Sequence, residues 1–203
     1  MSDRVESRDA VTGVILAGGE ARRMGGQDKG LIEIAGKPMI EYVIDAIRPQ
    51  VGALLINANR SHDRYRRYGF PVIADDNEGF NGPLAGMASC MRVAATGYIA
   101  TLPCDSPNIP ADLVARLYRQ LRAEDADISV AHSGERIQPV FSLLRCTLLD
   151  SLLAYLNSGE RKIDRWYARH KTSTVDFSDR PDTFINVNTP EDVKQVETAL
   201  THA

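Results

Sequence analysis

The sequence predicts an α/β protein with a mostly parallel central sheet and helices on both faces. Three observations carry that prediction. Short apolar runs rich in β-branched residues recur along the chain, and most are followed by a segment with helical periodicity. Gly, Asn or Asp also stands at the end of one run after another. Alternating strands and helices build a parallel sheet covered on both faces. Such a sheet binds its ligands beyond the carboxyl ends of its strands.

The elements follow in order. Residues 11–16 read as a strand, followed by a Gly-rich loop and a short extended piece at 31–34. A turn at Gly36 leads to a helix opening at Pro38, where the missing N–H has no helical partner to lose. Ile40, Val43, Ile44 and Ile47 then fall on one face of that helix. A strand at 53–56, a polar helix at 61–68 and a strand at 72–74 come next. A helix at 83–95, a strand at 98–102 and a helix at 110–122 continue the alternation. Strands at 127–131 and 139–144 precede helices at 147–157 and 163–170. Strands are expected near Thr174 and Phe184. A closing helix starts at Thr189-Pro190-Glu191-Asp192, with Thr as N-cap and two acids favouring the helix N-terminus.

Composition narrows the class. At about 150 residues per domain, 203 residues allow one or two domains. No repeat, linker or low-complexity tract divides them, so one domain over 1–203 is expected, with a frayed, disordered terminus at about 1–10. Apolar residues make up 43% and charged residues 25%, near the globular average, which excludes wholesale disorder. The 24 basic and 27 acidic residues give a net charge of -3, unlike a protein whose main partner is nucleic acid. The basic residues divide into 19 Arg and 5 Lys, so lysine is scarce.

No apolar run approaches the ~20 residues that span a bilayer, and the polar, acid-bearing opening resembles neither a signal nor a transit peptide. No membrane association is expected. Cys90, Cys104 and Cys146 are odd in number and lack C-x-x-C spacing, which fits a reduced cytoplasm. The four histidines show no H-x-x-x-H pairing, so a zinc hydrolase is a poor match.

The strand ends then define a candidate site. Ala17-Gly18-Gly19 follow the first strand, Asn57-Ala58-Asn59-Arg60 the second, Asp75-Asp76 the third and Pro103-Cys104-Asp105 the fourth. Singly these are ordinary turn formers. Their delivery to one edge is the informative feature. The stretch from Leu16 to Gly30 is too long and glycine-rich for a plain hairpin. Its glycines let backbone N–H groups approach phosphate oxygens, and Arg22, Arg23 and Lys29 can neutralise the charge. It is not a P-loop, because Lys29 sits between Asp28 and Gly30 without a following Ser or Thr, and no G-x-G-x-x-G occurs. A phosphate-binding loop of another type is the better reading.

Several motifs carry a resemblance: L-A-G-G-x-x-x-R-M-G-G-x-D-K-G at 16–30, G-K-P at 36–38, N-A-N-R at 57–60, G-P-L-A-G-M at 82–87 and P-C-D-S-P at 103–107. V-D-F-S-D at 175–179 and N-V-N-T-P at 186–190 extend it. Together they resemble the molybdenum cofactor guanylyltransferase family, within the larger group of nucleotidyltransferases. The resemblance runs from Thr12 to about Val193. It implies a Rossmann-like nucleotidyltransferase fold and transfer of GMP from GTP onto the terminal phosphate of molybdopterin, with release of pyrophosphate. The implied substrates are GTP and the molybdopterin cofactor, with other molybdenum-cofactor-handling proteins as further partners.

Attack on an α-phosphate needs charge neutralisation and in-line positioning more than covalent chemistry by the protein. Magnesium is typically held by one or two carboxylates plus substrate phosphates, and Asp105, between Pro103 and Pro107, suits that role. The resemblance places Mg2+ at Asp105. Lys29 would clamp phosphate as a compact charge on a flexible stem. Arg23 would add a forked contact. The resemblance assigns Leu16, Ala17, Gly18 and Gly19 to the stretch lining the nucleotide. It also makes Asn57 and Asp75 guanine-nucleotide contacts. A carboxylate suits guanine, whose N1–H and N2 amino group are adjacent donors. Asp75 and Asp76 both remain candidates for that role.

On the acceptor side, Gln138 and Arg136 resemble a family loop, and Arg136 would meet a phosphate. Asn186 and Asn188 end an expected strand and should reach the carboxyl edge, although Asn188 suits the start of the following helix equally well. Residues 161–171 read either as an amphipathic surface helix or as an acceptor or partner contact. Cys104 reads as a small packed residue, because no histidine neighbours it. Two other functions stand beside the leading one: a related transferase that uses CTP or another acceptor, and a non-catalytic nucleotide-binding regulator.

Overall fold

In a computed structural model, residues 7–18, 20–21, 27–75 and 82–201 are described. Seven strands form the central sheet: β1 (Val11–Leu16), β6 (Ala53–Asn57), β7 (Val72–Ile73), β8 (Tyr98–Pro103), β9 (Ile128–His132), β10 (Ile137–Arg145) and β11 (Thr172–Asp176). Four two-residue strands, β2 (Glu20–Ala21), β3 (Gln27–Asp28), β4 (Glu33–Ile34) and β5 (Lys37–Pro38), pair separately as two antiparallel ribbons. The sheet order is β11-β9-β10-β8-β1-β6-β7. Every neighbouring pair is parallel except those of β10, which runs antiparallel to both β8 and β9. The expected mostly parallel sheet is therefore present, and β10 is its reversed member. A nine-residue strand reached through the short hairpin at 133–136 cannot be parallel to its neighbour.

The helices are α1 (Met39–Ile47), α2 (His62–Arg66), α3 (Pro83–Val93), α4 (Leu113–Glu124), α5 (Leu149–Asn157), α6 (Ile163–Tyr167) and α7 (Pro190–Thr201). Successive strand residues point to opposite faces, and both faces are apolar. Val11 and Ile15 of β1, Leu54 and Ile56 of β6, and Leu102 of β8 join the α1 stripe Ile40, Val43, Ile44 and Ile47, with Leu113, Leu117 and Leu121 of α4. Val14, Leu55 and Ile99 face the other way, onto Leu84 and Met87 of α3, Leu152 and Leu156 of α5, and Trp166 of α6. Residues on both faces at central strands explain why these runs read as continuous apolar stretches. A third, smaller cluster joins Ile32, Ile34 and Met39 to Val187 and Val196, which ties the last helix to the segment following Lys29.

Several expectations need correction. Residues 7–10, expected to fray, form a helical turn with Ser7 buried, while the rest of that expectation, on 1–6, lies outside the described residues. The helix expected from Pro110 begins at Leu113, because Gln50 holds its approach: Nε2 donates to the Pro110 carbonyl at 2.8 Å and Oε1 accepts from Val114 N–H at 3.1 Å. The segment expected as a strand near Phe184 is a 3-10 turn, Pro181–Phe184. There the Phe184 ring packs edge-on against Phe141 at 5.0 Å and Phe177 at 5.9 Å. Tertiary packing of one ring outweighs the local β preference of the segment. The aromatic residues of 161–171 face inward, with Trp166 and Tyr167 buried beneath a basic outer surface, as expected of an amphipathic surface helix.

The β10 register shifts between Gln138 and Ser142. Carbonyls released there are met by a buried hydroxyl chain. Thr101 Oγ1 donates to the Val140 carbonyl at 2.7 Å, and Tyr167 OH donates to the Pro139 carbonyl at 2.8 Å. Ser142 Oγ lies 2.9 Å from Thr101 Oγ1 and 2.7 Å from Tyr167 OH, and its single proton serves one of the two. Tyr167→Phe removes the donor to Pro139. It should destabilise the fold by about 1–2 kcal/mol in urea unfolding, and an unchanged midpoint would refute this role for the hydroxyl.

Candidate active site

The carboxyl ends of β1, β6 and β8 and the residues after β7 surround a cleft of about 300 Å³. Leu16 and Gly18, Asn57, Asp75 and Asp105 line it, as the strand-end reading expects, together with Lys29. Ala17 is buried beneath it, and its N–H donates to the Asn57 carbonyl at 2.8 Å, which holds the end of β1 against β6. Gly19, Arg23 and Asp76 lie outside the described residues.

One wall is an amide–carboxylate network. Buried Asn57 donates from Nδ2 to the Ile73 carbonyl at 3.1 Å and to Asp75 Oδ1 at 2.8 Å. Asn59 Nδ2 donates to Asp75 Oδ2 at 2.9 Å, and Asp75 N–H returns a bond to Asn59 Oδ1 at 2.8 Å. The carboxylate thus enters the cleft with both oxygens oriented. Helix α3 crosses close above: a Cβ on Gly86 would lie 2.1 Å from Asn57 Oδ1 and 3.0 Å from Leu16 Cδ2. Because Asn57 is fixed by its own two bonds, only glycine fits there. Asn59 and Gly86 were not singled out from the sequence. Their signals were available, since Asn59 sits in N-A-N-R and Gly86 in G-P-L-A-G-M.

The opposite wall centres on Lys29. Its Nζ donates to Asp105 Oδ2 at 3.0 Å and also to Asn188 Oδ1. Asn186 and Asn188 lie in a loop rather than at a strand end, which corrects the route by which they were expected to arrive. They reach the edge nonetheless. Val187 N–H donates to the Asp105 carbonyl at 2.9 Å, and Ser106 Oγ donates to Asn186 Oδ1 at 2.6 Å. Asn188 also starts the last helix. Asp192 Oδ2 accepts from Asn188 N–H at 2.8 Å and Thr189 N–H at 2.9 Å, while Asp192 N–H donates to Thr189 Oγ1 at 3.2 Å. Asn188 thus lies at the cleft edge beside Lys29 and immediately precedes the Thr189 cap of the last helix. The Asn188 N–H, followed by Thr189 and the Lys29 charge, holds the Asp192 carboxyl below the usual aspartate range.

Arg136 and Gln138 flank the turn between β9 and β10 at the same sheet edge, with Arg136 exposed. Among the described residues, no hydrogen bond joins either to Lys29, Asp105 or Asn188. Burial, then the neighbouring Asp105 charge, pushes the Cys104 thiol well up. It is a packed neutral residue and not a nucleophile.

Beside the Lys29 ammonium, the ligand atoms on offer are the Asp105 carboxylate and the Asn188 amide oxygen. No group of three or more His, Cys, Asp or Glu side chains that could hold a metal occurs among the described residues. That hard, oxygen-only set fits a magnesium ion held largely by substrate phosphates rather than an all-protein cage. No helix among the described residues is long and apolar enough to cross a membrane.

The profile of the MobA-like NTP transferase domain matches residues 13–174. The chain belongs to this family. Among curated relatives of this MobA-like chain, the molybdenum cofactor guanylyltransferase of Shewanella sediminis is 53% identical over 94% of this chain and 97% of its own. That of Shewanella amazonensis is 54% identical over the same shares. The molybdopterin-guanine dinucleotide biosynthesis protein A of Archaeoglobus fulgidus superposes with a TM-score of 0.80. It covers 95% of this chain and all of its own at 22% identity, a likeness of fold. The family resemblance and the expected nucleotidyltransferase fold are thereby both borne out.

Acid should loosen the cap of the last helix. The folded-state pKa of Asp192 is lowered, so its contribution to stability is complete above the ordinary aspartate range and is lost as the pH falls through the lowered value. Asp192→Asn should therefore flatten the acid limb of a melting-temperature profile below about pH 4. An acid limb equal to that of the native chain would contradict the role of this cap.

Proposed function

We propose that this chain transfers GMP from GTP to the terminal phosphate of the molybdenum–molybdopterin cofactor, forming the guanine dinucleotide and releasing pyrophosphate. The observation that carries the reading is the meeting of Lys29, Asp105 and Asn188 opposite the Asn57–Asp75 wall, in a cleft at the strand ends. The names borne by relatives about half identical over nearly their whole length support these substrates.

The roles follow from the chemistry of each group. Backbone along Leu16, Ala17, Gly18 and Gly19 lines the nucleotide. Asp75, oriented by Asn57 and Asn59, accepts from the guanine N1–H and N2 amino group. A carboxylate has about four lone-pair sites, so its amide bonds leave it acceptor capacity. Lys29, with Arg23, neutralises charge developing on the transferred and leaving phosphates, and a positioned cation there is worth more in the transition state than in the ground state. Asp105, beside the Asn188 amide oxygen, would hold Mg2+, which when bound offsets phosphate charge. Arg136, Gln138, Asn186 and Asn188 form the acceptor side. Three free cysteines fit a cytoplasmic setting.

Purified protein incubated with GTP, magnesium and molybdopterin should yield a guanine dinucleotide detectable by mass spectrometry. CTP should compete weakly. Competition by CTP equal to that of GTP would overturn the guanine assignment, and absence of any dinucleotide would favour a non-catalytic binder.

Asp105→Ala should abolish pyrophosphate release with little change in melting temperature. Lys29→Ala should lower kcat by about 10²–10³-fold. Near-normal turnover in either variant would be fatal to its assigned role.

A further inference from the structure

Beneath the cleft lies an ion pair that none of these roles uses. Asp28 immediately precedes Lys29, and its side chain is 2% exposed. Its Oδ1 accepts from Nε of Arg60, which ends the N-A-N-R segment after β6. Its Oδ2 has no hydrogen-bond partner, so the Arg60 contact is what offsets removing this carboxylate from water. On the other side of Lys29, Gly30 is closely packed. A Cβ there would lie 3.2 Å from Cys104 Cβ and 3.2 Å from the buried Tyr65 hydroxyl. Cys104 is the residue before Asp105. The backbone on either side of Lys29 is therefore fixed, by charge at Asp28 and by contact at Gly30, to the ends of β6 and β8.

We propose that the Asp28–Arg60 pair is a positioning device that aims the Lys29 ammonium at the reacting phosphates. This rests on the phosphate role given to Lys29 above. The 3-10 turn Lys29–Leu31 is short and makes no side-chain cap bond at Asp28. The Asp28 carboxylate is instead committed to Arg60, a long-range anchor that the turn itself does not supply. Arg60 acts through Asp28 and not on substrate. Releasing it lets the loop between β3 and β4 shift while leaving the Asn57–Asp75 wall intact, because that wall is bonded independently.

The test is a mutant cycle. Asp28→Asn and Arg60→Gln are made in the native chain and in the Lys29→Ala background, with melting temperatures measured for each. A displacement of about 1 Å in a positioned group costs up to about 10²-fold in rate. Each single variant should therefore lower kcat about tenfold or more and leave KM for GTP within about twofold. Arg60→Lys should recover part of the loss. In the Lys29→Ala background, removing Arg60 or Asp28 should have no further effect beyond about twofold, because the group they aim is gone.

A further multiplicative loss in that background would mean that Arg60 touches substrate itself, and would overturn the proposal. So would native kcat in folded Asp28→Asn. If Arg60→Gln fails to fold because it strands the buried carboxylate, Asp28→Asn and the Asp28→Asn/Arg60→Gln double variant carry the comparison without a buried unpaired carboxylate. Native turnover by Lys29→Ala would instead refute the phosphate role of Lys29, a separate result.

Discussion

The site depends on one ammonium group. Lys29 stands between the carboxylate of Asp105 and the amide oxygen of Asn188, residues 76 and 159 positions away in sequence. A carboxylate only 10% exposed requires a cation or strong donors beside it, so the three segments carrying these groups must converge before the cleft exists. Each has its own means of arrival. Asp105 is carried by β8 at the centre of the sheet. Asn188 is brought in by the start of α7, whose Val196 packs with Val187 against Ile32, Ile34 and Met39. Lys29 is held by its immediate neighbours, Asp28 and Gly30. The C-terminal helix is thus part of the site architecture.

The rest of the cleft is organised around that centre in two independently bonded walls. The Asn57–Asp75–Asn59 network needs α3 to approach within the space of a missing side chain at Gly86. Across the sheet, the irregular register of β10 leaves carbonyls that Thr101 and Tyr167 satisfy, and Val140 reaches the cleft from that strand. Polar groups oriented in advance need little further ordering when a ligand arrives. A wall whose carboxylate is already held by two amides meets that requirement better than one that must order on binding.

Much of this was legible in the chain. Central strands buried on both faces read as short apolar runs, and the α1 stripe at Ile40, Val43, Ile44 and Ile47 showed its period directly. Asn57, Asp75 and Asp105 were found because parallel strands put their following residues on one edge. Other features left no such trace. The reversal of β10 follows from a short hairpin whose pattern matches that of any buried strand. Phe184 carries a strand-like local signal that its contacts with Phe141 and Phe177 override. The Asp28–Arg60 pair joins residues 32 positions apart, in two separate motifs, and nothing in either motif shows that their side chains meet.

By itself, the sequence determined the fold class, the edge on which the cleft forms, the family and most of the polar residues that line that cleft. All of these follow from local pattern, from periodicities of two and 3.6 residues and from motifs that span a few positions. The tertiary structure alone decided which of those residues touch. Lys29 with Asn188, Asp28 with Arg60, and Gly86 against Asn57 are contacts between segments far apart in the chain. Their existence depends on how the helices close over the sheet, and no local pattern encodes a distance between residues that only packing brings together.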